Sequence, residues 1–237
     1  MIEVGSVSIF IPIKKLSKLE LEDYSISLFD SWENDLNNIL AIPDYSIILE
    51  VEDGSIGIKG KIAAGAIALY TGVAQYGSFI SGVEIISKQA SVAINSLASK
   101  ATKNHTTKEN PPTIRKSGGD LVRIRNLVHK VQQGKISVEY AVREIEKILE
   151  KSQESSSLLM REIESSLNNS PIYPEQGKFD FGFGAPLEIV KEPKSINNSP
   201  LNRVPVNLPN HYQDRFRIEL WRESKRGEKN LRIIKVN

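Results

Sequence analysis

The segment Ile62 to Val83, IAAGAIALYTGVAQYGSFISGV, runs for 22 residues without a charge, in a 237-residue chain in which 25% of residues are charged. A stretch of this length and character must cross a bilayer, pack inside the fold or be covered by a partner, because a large contiguous apolar surface is not left in water. Its seven large apolar residues (Ile62, Ile67, Leu69, Val73, Phe79, Ile80 and Val83) favour insertion by only about 3 kcal/mol in total. Four glycines, two serines, Thr71 and Gln75 oppose insertion. The balance predicts a buried helix, with a membrane-inserted one as the weaker alternative, workable only in a bundle that satisfies Gln75.

Between Lys61 and Ala101 there is no proline, and Ile62, Leu69, Val73, Tyr76, Ile80 and Val83 recur at helical spacing. Gly65, Ala68, Gly72, Gln75 and Gly82 fall on the other side. One bulky and one small stripe mean knob-like packing on one face and close backbone approach on the other. Gly65, Ala68, Gly72 and Gly82 are therefore candidate interaction residues. Gly77-Ser78 and Ser81-Gly82 are places where the helix can bend or break, because each glycine costs about 1 kcal/mol relative to alanine.

An α+β fold is expected around this segment. "VSIFIPI" (residues 7–13) is a strand that Pro12 limits to an edge or ends. Leu28, Trp32, Leu36 and Leu40 lie on one helical face, with Ser27 as cap. "YSIILEVEDGSIGIKGKI" is a hairpin turning at Asp53-Gly54, a pair suited to a type I′ turn. Residues 1–101 thus form a small α+β unit with a long Gly/Ala-rich helix, and 102–119 have the proline and glycine content of a linker. Residues 120–167 form a helical hairpin, with Asp120 and Ser137 as N-caps and Gly134 as the C′ residue. An irregular arm spans 168–209 and carries seven prolines. A C-terminal β-hairpin follows at 210–237, where Phe216, Ile218 and Leu220 alternate with charges.

Several chemistries are narrowed by composition. With 31 basic and 29 acidic residues, a net charge of +2 gives no field to gather a polyanion. Zero cysteines remove disulfides, thiolate metal sites and cysteine nucleophiles. Asp44, Glu50 and Glu52 in "PDYSIILEVE" have the order of a magnesium-binding carboxylate strand but lack the lysine that would complete it, so they form a weak metal candidate. His211, Tyr212, Asp214 and Arg215 are a polar cluster of the mix that acid–base chemistry uses, also a weak candidate. His105 and His129 have no ligand spacing. Arg115, Lys116, Arg123, Arg125, Lys130 and Lys135 suggest a basic helix–turn–helix, but Glu139, Glu144, Glu146 and Glu150 would face the phosphates.

Stripe geometry without visible chemistry favours a non-enzymatic oligomerising or adaptor protein that acts through helix surfaces on itself or another protein. The alternatives are an effector or toxin that inserts residues 62–83 into a membrane, and a hydrolase or nuclease whose site is scattered along the chain. Catalytic residues and a cofactor are not expected, sequence-specific nucleic acid is disfavoured, and a cytoplasmic location is the default for a start with no basic segment ahead of its apolar run.

Overall fold

A computed structural model describes residues 1–12, 16–103, 111–150, 157–171 and 215–236. Along the chain they form β1 (Ile2–Ile11), α1 (Lys18–Ile39), β2 (Ser46–Glu52), β3 (Ile56–Ala64), α2 (Ala66–Ala74) and α3 (Phe79–Thr102). Then come β4 (Thr113–Ser117), α4 (Gly119–Gln132), α5 (Val138–Leu149), α6 (Ser157–Asn168), β5 (Arg215–Arg222) and β6 (Asn230–Val236). The fold is α+β: the strands make one antiparallel sheet in the order β4-β1-β3-β2-β5-β6, with the helices against one of its faces.

Alternation decides which side of the sheet is covered. Val7, Ile9 and Ile11 of β1, Ile47, Leu49 and Val51 of β2, and Ile218 and Leu220 of β5 are buried on the inner face. At its centre Gly60 of β3 leaves space that a methyl group would fill, 3.2 Å from the Trp32 ring and against Leu97. This notch lets Trp32 of α1 and Leu97 of α3 meet over the middle of the sheet. Both are fully buried, and the Trp32 indole N–H donates to the Ala93 carbonyl at 3.1 Å, so the largest core residue leaves no polar atom unpaired.

Several local expectations are corrected. α1 begins ten residues before Leu28, capped by Ser17 rather than Ser27: the Ser17 hydroxyl accepts from the Glu20 N–H and the Glu20 carboxylate accepts from the Ser17 N–H at 2.8 Å. The hairpin at Asp53-Gly54 is present, but residues 53–56 separate the last pair, Glu52 and Gly57, so it is longer than a two-residue turn. Gly54 takes the positive φ, 115°, and its N–H donates to the Asp53 carboxylate at 2.7 Å.

The uncharged stretch is not one helix. Ile62–Ala64 complete β3, Gly65 starts α2, and the chain breaks at Gly77 (φ 80°) before Ser78 caps α3. Among the described residues no helix is long and apolar enough to cross a membrane. Residues 113–117, inside the expected linker, pair with β1 as an edge strand. The C-terminal hairpin joins the same sheet through β5 and β2. The α4–α5 hairpin has the expected Ser137 cap and a positive φ at Gly134, but Gly118, not Asp120, stands at the N-cap of α4. Of the arm, residues 172–209 lie outside the described residues.

Candidate functional site

The other face of the sheet carries three rows of side chains that cross all six strands. The register places Arg115, Ser8, Lys59, Glu50, Glu219 and Arg232 on one row, in the order of the sheet. On one side of it run Thr113, Phe10, Gly57, Glu52, Arg217 and Ile234. On the other side run Ser117, Ser6, Lys61, Ile48, Trp221 and Asn230. Cross-strand neighbours pair by charge: Lys59 with Glu50 at 3.5 Å, Arg217 with Glu52 at 3.0 Å, and Arg232 with Glu219 at 3.9 Å. The Arg232 guanidinium also lies 5.4 Å from the centre of the Trp221 ring. Half-exposed pairs of this kind contribute about 0–1 kcal/mol each, so the pattern does little to hold the fold together.

Gly57 interrupts the row of Phe10 and Glu52. A methyl group there would meet nothing nearer than the Glu52 Cβ at 3.9 Å, so the missing side chain opens a hollow rather than relieving a clash. The hollow has a volume of about 620 Å³ and is bordered by Phe10, Glu52, Lys59, Arg115 and Arg215. Phe10 is 49% exposed, a large aromatic surface for a central strand to leave in water. The Glu52 hydrogen bond and charge raise the pKa of Arg217 above its ordinary value. Arg215, at the start of β5, rests beside Gly54, and among the described residues neither it nor Arg115 has a carboxylate within ion-pair distance. The hollow therefore presents two uncommitted guanidinium groups, an aromatic ring and the hydroxyls of Ser8 and Thr113, and among the described residues no imidazole lines it.

The residues singled out from the sequence fall elsewhere or serve other ends. Gly72 and Gly82 face their own chain: a methyl group at Gly72 would stand 2.9 Å from the Ala41 carbonyl oxygen, and one at Gly82 would collide with the Val73 backbone. Gly65 is the half-buried N-cap of α2 and Ala68 a half-buried residue of that helix. The small stripe thus closes the α2–α3 corner and seats α2 on the segment after α1. Asp44 accepts from the Lys225 N–H at 2.7 Å, while Glu50 and Glu52 pair with Lys59 and Arg217. Among the described residues no group of three or more His, Asp or Glu is placed to hold a metal ion. His129 is exposed on α4; His105, His211, Tyr212 and Asp214 lie outside the described residues.

Phe10, Gly57 and Arg115 were missed as a group because they come from three strands brought together by pairing. Alternation could have flagged Phe10 and Gly57 as outward positions of their strands, but only the register shows that they are neighbours. Comparison with protein-family models, with curated proteins and with solved structures returns no match for this chain.

Proposed function

We propose that the chain is a non-enzymatic binding protein that docks a protein partner on the open face of its sheet. The observation that carries this reading is the hollow over Gly57, with exposed Phe10 beside it and Arg115 and Arg215 uncommitted at its border. The expected partner brings an apolar side chain to the hollow and carboxylates to the two arginines. A polynucleotide is disfavoured because most cations of the face, Lys59, Lys61, Arg217 and Arg232, are already paired with carboxylates, which leaves few to neutralise phosphates. An adaptor role agrees with the ranking from sequence but moves the contact from the helices to the sheet.

The test replaces Phe10 with a photoreactive phenylalanine analogue in cells that make the protein, with the same analogue at exposed Val92 of α3 as control. The expected result is one discrete protein adduct from position 10 and none from position 92. Gly57→Thr suits a strand and adds atoms only to open space; Arg115→Glu reverses one charge. Each is expected to reduce the adduct about tenfold, the effect of about 1.4 kcal/mol of binding. No adduct at position 10, or the same adducts from both positions, would sink the proposal.

A further inference from the structure

On the opposite side of the sheet, a second cavity of about 190 Å³ lies between β1, β4, α3 and α4. It has room for a small ion and several waters, since a water occupies about 30 Å³. Two cationic side chains line it, Lys116 and Arg125, with the hydroxyls of Ser87 and Ser91, and among the described residues no carboxylate does. The Lys116 ammonium donates to the Asn95 side chain at 2.6 Å, which holds it in place without neutralising it.

Two buried polar atoms at this cavity have no hydrogen-bonding partner among the described residues. Ser87 is only 5% exposed and its Oγ is unpaired; the Arg125 Nε is likewise buried and unpaired. Leaving one such group unsatisfied costs about 1–3 kcal/mol, more for a charged one, so two beside the same cavity need a common explanation. The backbone supplies further donors. α4 starts at the cavity with Gly118 as its N-cap; the Gly119 N–H is bonded to the Ser117 hydroxyl at 3.2 Å and Asp120 stands in the first turn, but Gly118 has no side chain to bond the N–H groups that follow, and these favour an anion. β1 also departs from regular pairing here, with a register shift between Glu3 and Gly5. A methyl group at Gly5 would approach Ile94 at 3.3 Å and the Ser117 carbonyl oxygen at 3.6 Å, both of them cavity-lining residues.

We infer that this cavity is a binding site for a phosphate group, free or carried on a small molecule, held by Ser87, Lys116, Arg125 and the start of α4. The guanidinium and ammonium supply the charge, the serine hydroxyls donate to phosphate oxygens, and Gly5 keeps the space open. The inference is independent of the partner surface on the far face of the sheet.

Thermal unfolding in inorganic phosphate, against chloride at matched ionic strength, is the first measurement. Saturable stabilisation of about 3–6 °C at a tenfold excess over the dissociation constant is expected. A parallel titration with a nucleoside monophosphate separates the sources: tighter binding than phosphate means a carried phosphate, equal or weaker binding means the free ion. Arg125→Gln is expected to weaken phosphate binding at least tenfold. Ser87→Ala gives the sharper reading, because removing an orphaned hydroxyl leaves the phosphate-free protein as stable or more so, yet phosphate stabilises it less. The same response in Ser87→Ala, Arg125→Gln and the parent, or no response at tens of millimolar phosphate, overturns the inference.

Discussion

Gly82→Ala tests whether the small-residue stripe serves the fold or an interface. In the structure a methyl group at position 82 would stand 2.6 Å from the Val73 Cγ1 and 2.7 Å from the Val73 carbonyl carbon, with the carbonyl oxygen nearer still. Carbon atoms pack at about 3.5–4.0 Å, so the α2–α3 corner has to open by about 1 Å. The obstacle is backbone, which cannot swing aside as a side-chain tip does. Forced overpacking costs about 1–3 kcal/mol, and a clash with a main-chain carbonyl belongs at the upper end. Alanine recovers about 1 kcal/mol of helix propensity, which leaves a net loss of about 2 kcal/mol. For a protein of this size that is a fall of about 4–8 °C in melting temperature. Thermal and urea unfolding measure the loss; light scattering after gel filtration measures the assembly state, expected to be unchanged. A variant as stable as the parent, or one that alters assembly at unchanged stability, would refute the reasoning and return the glycine to an interface.

Two further predictions concern α1. Ser17→Ala removes one half of the capping box and should cost about 1 kcal/mol, read as a drop of about 2–4 °C, whereas the same change at Ser27, outside the cap, should cost less. Asp35 is partly desolvated, which opposes its charge, but hydrogen bonds from Lys100 and Ser96 outweigh this and hold its pKa below the ordinary 3.8. A carboxylate with a depressed folded pKa stabilises above its unfolded value and loses that contribution as the pH falls through the folded one. Asp35→Asn should therefore be less stable than the parent above about pH 5, with the gap closing below about pH 4; a constant gap across that range would remove the ion pair from the account.

What the sequence could and could not convey follows from how far each signal reaches. The hairpin at Asp53-Gly54, the α4–α5 pair and the alternation of β5 are patterns complete within a few residues, and they are readable for that reason. The start of α1 was legible too, as Ser17 with Glu20 three residues on, but the apolar stripe passes through Ser25, whose hydroxyl is satisfied by the Leu21 carbonyl at 2.6 Å and so sits buried without looking hydrophobic. β4 was hidden because all five of its residues are exposed, and only pairing with β1 makes it a strand. The glycines of the 62–83 stretch did signal close approach, but a single chain does not say whether the approaching backbone is its own. The hollow over Gly57 and the cavity beside Ser87 are absent from any local pattern, since each gathers residues separated by a hundred positions or more.

The pairing of β5 with β2 has a kinetic meaning. Leu49 lies beside Leu220 and Val51 beside Ile218, so the middle of the sheet joins segments about 170 residues apart along the chain. Closing so long a loop is slow, because its entropy is lost before the contact repays it. Until residues 215–222 have left the ribosome, β2 presents an open edge with Leu49 and Val51 only partly covered, a template on which another nascent copy can pair. The early life of this protein is therefore its most vulnerable period, and its yield in cells should depend on chaperone capacity more than the stability of the finished fold would suggest.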